Sequence, residues 1–326
     1  MLTDQFNRTH NYLRISLTER CNLRCTYCMP EEGIVLRDRI EFMTQEETIF
    51  LAKTFVGLGI NKIRLTGGEP LIKKNFKEIL FELSKLPVEL AITTNGILLD
   101  QYWNELKAAK LNSLNISLDS LQEARVDAIT RRKYFKRIMA NIETAIQKDF
   151  DVKLNCVLMK NQNDDEILDF IQLTENKKIG IRFIEFMPFD GNKWDFSKTV
   201  SYAAVMKKVS EFYGEENLLK LNSDANSTSK NFQLKNHVGN FGIISSVTNP
   251  FCDTCNRIRL TADGKIKNCL FSSGETDLLT ALRKGEDVVS LIQSNLKSKR
   301  KERGGLPEFS DANFQIDNRS MIRIGG

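Results

Sequence analysis

The stretch that decides the fold is YLRISLTERCNLRCTYC, residues 12–28, in which an apolar run leads directly into three cysteines. The run YLRISLT is rich in apolar and β-favouring residues, which is typical of a buried strand. Cys21, Cys25 and Cys28 then fall within eight residues, just after that strand. Reactive residues at the end of a strand indicate a fold that builds its site from the loops at one rim of a sheet.

Five further strand-like runs follow the same plan along the chain. Each is apolar and is followed by polar residues and then by a segment of helical spacing, such as QEETIFLAKTFVGLG or NFKEILFELSKL. Six strand–helix units predict a parallel sheet that is covered on both faces. The six predicted strands are residues 12–18, 62–66, 89–94, 113–119, 151–159 and 179–187.

A doubly wound sheet fits this pattern equally well, but the position of the unusual residues favours a barrel. The cysteines, TGGEP, TTNG, Asp119 and FMPFDGN each lie at or just beyond the carboxyl end of a strand. A ring of functional loops on one rim is how barrels form their sites. Because a complete barrel needs eight units, we predict an α/β fold of the incomplete (β/α)6 TIM type, open at one side.

The open side of the barrel needs a cover, and the C-terminal part of the chain is the candidate. Residues 221–236, LNSDANSTSKNFQLKN, are poor in apolar residues and are predicted to form a long loop or linker. We therefore assign residues 1–220 to the partial barrel and residues 221–326 to a smaller C-terminal domain that covers the open side.

The charge of the chain favours a small anionic ligand over a polynucleotide. Lys and Arg number 47 against 42 Asp and Glu, and the excess of five is spread along the chain. The one dense basic run, KSKRKER at residues 297–303, is interpreted as a solvated helix face rather than a nucleic-acid patch.

No run reaches the roughly 18 apolar residues of a membrane span, and the first ten residues lack the pattern of a signal peptide. We expect a cytoplasmic protein that has neither nucleic acid nor a membrane as partner.

Six of the seven cysteines form two triplets, which indicate metal chemistry. Cys156 stands alone in the apolar run KLNCVLMK and is predicted to be a packed core thiol. Each triplet is one ligand short of a tetrahedral zinc site, and the chain holds two histidines in all. A cubane [4Fe-4S] cluster on three thiolates instead leaves one iron open for a ligand. Zinc with an unseen fourth ligand stays an alternative. The triplets are Cys21, Cys25 and Cys28, and Cys252, Cys255 and Cys269.

The first triplet has the spacing C-x3-C-x2-C with Tyr27 before the last cysteine, which resembles the radical S-adenosylmethionine (radical SAM) family. The resemblance implies a [4Fe-4S] cluster on these cysteines, within a partial barrel. It also implies that S-adenosylmethionine contacts Tyr27, Gly68 of TGGEP, Ser117 and Met187. It further implies that TGGEP, in which Glu69 could hold an ammonium group, receives the amino group of the methionine part. Without the resemblance, TGGEP would be interpreted as a tight turn and Met187 as a core residue.

The second triplet, in PFCDTCNRIRLTADGKIKNCLF, resembles the branch of this family that cyclises GTP in the first step of molybdenum cofactor biosynthesis. The resemblance implies a second [4Fe-4S] cluster, whose open iron binds the guanine. No G-x4-G-K-[ST] loop occurs, so side-chain cations would have to hold the triphosphate. The implied GTP contacts are Arg14, Arg64, Thr93, Lys153, Arg257, Ile258 and Arg259. Thr94 stays an alternative to Thr93.

The resemblance also implies a reaction and its partners. An electron enters the first cluster and cleaves S-adenosylmethionine to methionine and a 5′-deoxyadenosyl radical. This radical removes the 3′ hydrogen of GTP, and C3′ then attacks C8 to give (8S)-3′,8-cyclo-7,8-dihydroguanosine 5′-triphosphate. The implied partners are a reducing electron donor and the downstream cyclic pyranopterin monophosphate synthase. No residue is assigned as a catalytic acid or base, and the choice between monomer and homodimer stays open.

Two other functional classes stay open at this stage. One is another radical SAM enzyme with an auxiliary cluster, such as a peptide maturase, and the other is a non-catalytic iron–sulfur or zinc scaffold.

The ending RIGG, residues 323–326, would by position alone be a frayed terminus. The resemblance implies instead that this tail enters the active site, with Gly325 and Gly326 near the substrates and Arg323 near a phosphate.

Overall fold

The computed structural model of the chain describes residues 1–30, 33–35, 37–222, 224–311 and 314–326. The strands are β1 Tyr12–Ser16, β2 Lys62–Thr66, β3 Glu89–Thr94, β4 Ser113–Ser117, β5 Asp151–Leu158, β6 Gly180–Glu185, β7 Leu218–Lys220, β8 Lys230–Leu234, β9 Asn240–Ile244, β10 Arg257–Leu260, β11 Lys265–Lys267 and β12 Thr276–Asp277. The α-helices are α1 Gln45–Gly57, α2 Phe76–Ser84, α3 Trp103–Ala108, α4 Glu123–Thr130, α5 Phe135–Gln147, α6 Ile167–Gln172, α7 Tyr202–Tyr213, α8 Leu278–Arg283, α9 Val288–Lys297 and α10 Met321–Ile324.

All twelve strands belong to one sheet, in the order β12-β11-β10-β1-β2-β3-β4-β5-β6-β9-β8-β7. Strands β1 to β6 are parallel and adjacent in chain order. Strand β10 adds in parallel to β1, and β9 adds in parallel to β6. Within the described residues the outermost strands β12 and β7 do not pair with each other, so hydrogen bonds do not close the sheet. The predicted incomplete barrel is confirmed.

Helix α1 shows why the sequence forms a strand–helix unit. Its N-terminus is a capping box: the Thr44 hydroxyl accepts from the Glu47 amide at 3.2 Å, and the Glu47 carboxylate accepts from the Thr44 amide at 2.8 Å. Leu51 and Phe55, four residues apart, are buried on one face of the helix. The sheet supplies matching apolar side chains such as Leu13 of β1, which is wholly buried.

The C-terminal part of the chain extends both edges of the central sheet. The prediction of a loop over residues 221–236 is partly wrong, because Lys230–Leu234 forms β8 and pairs antiparallel with β9. Phe232 and Leu234 alternate with polar residues and are buried, a pattern that the surrounding Asn and Ser residues obscured. The boundary predicted at residue 220 stays a prediction. None of the described helices has the length and apolar character needed to cross a membrane.

The basic run KSKRKER does not form a solvated helix face, so that prediction is wrong. Helix α9 ends at Lys297, the first residue of the run. Lys299 is 2% exposed, and its ammonium lies 3.5 Å from the sulfur of Cys255. Lys299 points inward and meets a thiol of the second triplet, whereas Lys297, Arg300 and Lys301 are exposed. Cys156, in contrast, is the predicted core thiol and is wholly buried in β5.

Candidate functional site

A cavity of about 960 Å³ is lined by both cysteine triplets. The residues predicted to contact S-adenosylmethionine also line it: Tyr27, Gly68, Ser117 and Met187. So do the residues predicted to contact GTP, with one exception: Arg14, Arg64, Thr93, Lys153, Arg257 and Arg259. The exception is Ile258, which alternates with Arg257 and Arg259 on β10 and therefore points the other way, into the hydrophobic core. The structure therefore gives no support to a side-chain contact between Ile258 and GTP.

The TGGEP loop is packed against the backbone of the first cysteine loop. The Gly68 amide donates to the Thr18 carbonyl at 2.6 Å, and the Glu69 amide donates to the Arg20 carbonyl at 2.8 Å. A Cβ atom on Gly68 would lie 2.2 Å from the Arg20 carbonyl oxygen. Glycine is therefore required here by the close approach of two backbones.

Glu69 ties this loop to the end of β3. Its carboxylate accepts from the Leu71 and Asn95 amides and from the Thr94 hydroxyl, at 2.7–3.0 Å. Burial raises the pKa of Glu69 to about 7, even though these donors act against the rise. This bonding places Glu69 as a structural anchor of the loop and gives no support to the expectation that it holds an ammonium group.

The first triplet fits an iron–sulfur cluster by its chemistry. All three thiols are free and line one cavity. The Cys21 sulfur accepts from the Leu23 amide at 3.4 Å and faces the Asn95 amide group at 3.8 Å, which is the kind of donor that tunes cluster sulfurs. Burial raises the pKa of Cys21, Cys25 and Cys28, so a bound cationic group is needed to keep them as thiolates. Among the described residues, no three Cys, His, Asp or Glu side chains converge as ligands of one ion.

The second triplet carries a buried cation of its own. The Lys299 ammonium lies 3.5 Å from the Cys255 sulfur and 3.3 Å from the Arg257 carbonyl, and within the described chain no carboxylate pairs with it. Burial alone would raise the pKa of Cys255, but the charges of Lys299 and Arg257 lower it to about 7. The Arg303 amide donates to the Cys252 sulfur at 3.5 Å. A buried ammonium without a carboxylate requires an anionic partner, which thiolates or a cluster provide.

Three arginines lie abreast across neighbouring strands beside the triplets. The register of β1 aligns Arg14 with Arg259 on one side and with Arg64 on the other. Burial, and then the charges of Arg259 and its neighbours, push the pKa of Arg14 well below its usual range. Like charges placed directly opposite destabilise a sheet, so this row is arranged for a bound anion. The buried Arg14 Nε and Arg257 Nη2 atoms have no hydrogen-bond partner in the structure.

The two threonines at the end of β3 have different surroundings. The Thr94 hydroxyl donates to Glu69 at 2.8 Å, whereas the buried Thr93 hydroxyl has no partner in the structure. A buried hydroxyl without a partner is costly unless a ligand satisfies it. The geometry therefore favours Thr93 as the ligand-binding residue.

Family models divide the chain into two matched regions. Residues 15–174 match the radical SAM superfamily, and residues 179–304 match the molybdenum cofactor synthesis C-terminal family. GTP 3′,8-cyclase from Peptoclostridium acidaminophilum is 43% identical over 100% of this chain and 98% of its own length. The mitochondrial GTP 3′,8-cyclase of Arabidopsis thaliana is 48% identical, over 100% and 84% of the two chains. The chain belongs to the GTP 3′,8-cyclase family. It is a radical SAM enzyme.

Other relatives of this family are longer, and one solved structure shares the fold. Human molybdenum cofactor biosynthesis protein 1 is 45% identical over 99% of this chain, which spans 51% of the human protein. SuiB of Streptococcus suis, solved bound to S-adenosylmethionine, superposes with a TM-score of 0.62 at 14% identity, over 91% of this chain and 68% of SuiB. That likeness shows the fold alone.

Sequence reasoning missed Arg182, and it placed Asp119 at the rim of the barrel without giving it a role; both side chains line the cavity of this cyclase-family chain. Arg182 of β6 donates to the Ile181 carbonyl and to the Asn240 side chain, both at 2.9 Å, and burial lowers its pKa to about 10. The sequence did offer a signal for Arg182, because a charged residue inside an otherwise apolar strand is unusual. Asp119 accepts from the Tyr27 hydroxyl at 2.8 Å and the Val157 amide at 2.9 Å, and burial raises its pKa to about 6.

The C-terminal tail reaches the cavity. The Gly325 carbonyl accepts from Arg259 Nη1 at 2.8 Å, and Gly326 lines the cavity. Gly325 has a φ of +93°, and a Cβ atom there would lie 2.7 Å from the Ser16 Cβ. Arg323 lies 4.0 Å from the Glu19 carboxylate, and its buried Nε has no hydrogen-bond partner in the structure, so its role near a phosphate stays a prediction.

Proposed function

We propose that the chain converts GTP to (8S)-3′,8-cyclo-7,8-dihydroguanosine 5′-triphosphate in the first step of molybdenum cofactor biosynthesis. The observation that carries the proposal is the row of Arg259, Arg14 and Arg64 in a cavity that both thiol triplets line. A triphosphate is the small anion that suits such a row of guanidinium groups, which have no carboxylate partner among the described residues. The family membership agrees with this substrate.

Each triplet is proposed to hold one [4Fe-4S] cluster. A cluster on Cys21, Cys25 and Cys28, when bound, would supply the electron that cleaves S-adenosylmethionine into methionine and the radical that removes the GTP 3′ hydrogen. Tyr27, Gly68, Ser117 and Met187 would hold S-adenosylmethionine. Gly68 acts mainly by letting its loop lie against the cysteine loop, and Asp119 acts by orienting the Tyr27 ring.

The substrate is proposed to lie between the second triplet and the cations. The cluster on Cys252, Cys255 and Cys269 would leave one iron open for the guanine. Arg14, Arg64, Arg257, Arg259 and Lys153 would neutralise the triphosphate, and Thr93 would donate a hydrogen bond. Burial lowers the pKa of Lys153, which indicates a partly dehydrated site where charge pairing is strong.

The proposal includes partners and a location. The reaction needs a reducing electron donor, and its product needs a downstream synthase that forms the cyclic pyranopterin monophosphate. We propose a cytoplasmic location, supported by seven cysteines that are all free. The plant relative is named as mitochondrial.

The proposal is tested by replacing one cysteine from each triplet and one from the core. Anaerobically reconstituted protein is incubated with GTP, S-adenosylmethionine and dithionite, and both 5′-deoxyadenosine and cyclised nucleotide are measured. Cys21→Ala should abolish both products, whereas Cys252→Ala should keep slow 5′-deoxyadenosine formation and lose the cyclised nucleotide. The control Cys156→Ala, in the hydrophobic core, should keep both. Full cyclisation by Cys252→Ala would overturn the proposed role of the second triplet.

A further inference from the structure

The outer side of the first cysteine loop carries an exposed group of cations, here called the basic face and defined as Arg20, Arg24, Arg131, Arg132 and Lys133. Arg20 and Arg24 lie within or beside the cysteine loop, and both are exposed. Arg132 and Lys133 are exposed, and Arg131 is half-buried, in the turn between α4 and α5. The face is therefore built from two separate segments of the chain.

The two segments of the basic face are held together by their backbones. The Arg24 amide donates to the Thr130 carbonyl at 2.9 Å, and the Thr26 amide donates to the Ile129 carbonyl at 3.0 Å. The turn that carries Arg132 and Lys133 is thus fixed directly on the cysteine loop. A protein that binds this turn is therefore also positioned against the cysteine loop.

Among the described residues, three cations of the basic face have no acidic partner of the kind that neutralises other surface cations. Within the described residues no carboxylate pairs with Arg20, Arg24 or Lys133. The neighbouring cations of α5 do have partners: Lys136 lies 3.9 Å from Glu123, and Arg137 lies 2.9 Å from Asp100. Glu31 and Glu32 follow the cysteine loop in sequence and lie outside the described residues.

A second, smaller cavity lies beside the cysteine loop and the basic face. It measures about 230 Å³ and is lined by Arg131, Lys193 and Lys198, together with Thr26 and Tyr27 of the loop. The Asn192 side chain donates to the Tyr27 carbonyl at 3.2 Å and so fixes the Lys193 segment to the loop. Asp190 and Asp195 flank these two lysines in sequence and match them in number, so the net positive charge of this group is that of Arg131.

Two cations of the basic face and the first thiol triplet belong to the same loop. The thiols of Cys21, Cys25 and Cys28 line the inner cavity, whereas the side chain of Arg24, which directly precedes Cys25, is exposed on the outside. Because electron transfer weakens steeply with distance, a donor seated on this face has a short path to the triplet.

We propose that the basic face is the docking site of an acidic one-electron carrier protein, which reduces the cluster of the first triplet. The proposal rests on the function proposed above, which requires an electron at that triplet. In the transfer the carrier loses one electron and the cluster gains it, and no bond is made or broken. Opposite charges on the two proteins raise the encounter rate and make it dependent on salt. Interfaces of transient electron-transfer pairs are small.

The test uses a double charge reversal, Arg132→Glu with Lys133→Glu, in the reconstituted holoenzyme. The probe is a reduced, acidic [2Fe-2S] ferredoxin, and its rate of oxidation and the 5′-deoxyadenosine released are measured at low and high salt. The variant should be reduced at least tenfold more slowly at low salt, and it should lose most of its salt dependence. Reduction by dithionite should proceed as in the wild type.

The matched control reverses two exposed lysines, Lys110→Glu with Lys148→Glu, so that the net charge changes equally. Lys148 follows α5 and lies roughly 20 Å from Lys133 at the other end of that helix. The control should keep the wild-type rate with the carrier. Equal loss in both variants, or no loss in either, would overturn the docking proposal. Failure of cyclisation with dithionite in the wild type would instead count against the proposed function, since carrier oxidation is measured separately.

Discussion

The buried charge of Lys299 should influence the cluster proposed for the second triplet. Replacement of its buried ammonium by methionine removes a positive charge 3.5 Å from the Cys255 sulfur. Adding an electron to the second cluster then becomes less favourable, so the midpoint potential of that cluster should fall, by about 60 mV for each 1.4 kcal/mol of lost interaction. Redox titration followed by electron paramagnetic resonance measures the shift. Lys299→Arg, which keeps the charge, should stay near the wild type, and an unchanged potential in Lys299→Met would refute this role.

Gly68 tests the contact between the TGGEP loop and the cysteine loop. Gly68→Ala places a methyl group 2.2 Å from the Arg20 carbonyl oxygen, so one of the two backbones has to move. We expect a loss of about 1–3 kcal/mol in stability, typical of overpacking, together with reduced iron content of the first cluster. Gly57→Ala is the control, because a Cβ atom there meets nothing within 4 Å. Equal melting temperatures and iron contents in the two variants would contradict the argument.

The residues that the sequence predicted best are those whose spacing is local. Cys21, Cys25 and Cys28, like the two glycines of TGGEP, lie within a few residues of each other, so folding keeps them together. The choice between Thr93 and Thr94, by contrast, required the position of Glu69, 25 residues away from Thr94. Lys299 was misjudged for the same reason, since its partner Cys255 is 44 residues distant.

The N-terminal segment before β1 is an element held by buried polar groups. His10 Nε2 lies 3.0 Å from the Asp4 carboxylate, and Arg8 donates to the Cys252 carbonyl at 2.7 Å. Burial, with the charge of Lys299, lowers the pKa of His10 to about 4. The neutral ring therefore contributes stability above pH 6.5, and that contribution is lost as the pH falls towards 4.

The pH dependence of this element can be isolated with His10→Gln. Between pH 7 and pH 5, the wild type should lose about 1–2 kcal/mol of unfolding free energy more than the variant does. Urea unfolding under argon at the two pH values gives the difference. The raised pKa values of Glu69 and Asp119 act in both proteins and cancel in the comparison. An identical pH response in the two proteins would show that His10 is not buried in its neutral form.

The tail that contains α10 is the second element with a direct test. Gly325→Ala would force a methyl group against Ser16 at a φ of +93°, whereas a Cβ atom on Gly326 lies 3.7 Å from the Met321 side chain, an ordinary contact. Gly325→Ala should cut cyclisation at least tenfold, a loss of about 1.4 kcal/mol or more, with both clusters intact. Gly326→Ala should retain activity. The rates of product formation of the two variants are compared at matched iron content. If Gly325→Ala is as active as Gly326→Ala, the tail has no part in catalysis.

The six parallel strands were predictable because each is an apolar run that is followed by a segment of helical spacing. All six predicted strands are present, with ends that differ by at most two residues. Strand β8 was not predicted, because two buried residues among Asn and Ser do not stand out without knowledge of the neighbouring strand β9. Edge strands of this kind depend on a partner that the local sequence does not reveal.

On the scale of the whole molecule, one pairing brings the two triplets together. Strand β1 leads into the first triplet, and β10 follows Cys255 of the second, 234 residues after Cys21 in the chain. Their parallel register sets Arg14 beside Arg259 and Tyr12 beside Arg257. The predicted open barrel thus receives the second triplet at its β1 edge, which the sequence could not specify because both edges were available.

Transfer of deuterium from substrate to cofactor tests the central claim most directly. Reconstituted protein is incubated with dithionite, S-adenosylmethionine and GTP that carries deuterium at the 3′ position, and the 5′-deoxyadenosine is analysed by mass spectrometry. If the cavity holds GTP between the two triplets as proposed, the 5′-deoxyadenosine gains one deuterium and the cyclised nucleotide forms alongside it. If 5′-deoxyadenosine forms without deuterium, and at a rate that GTP does not change, the account of this site is contradicted.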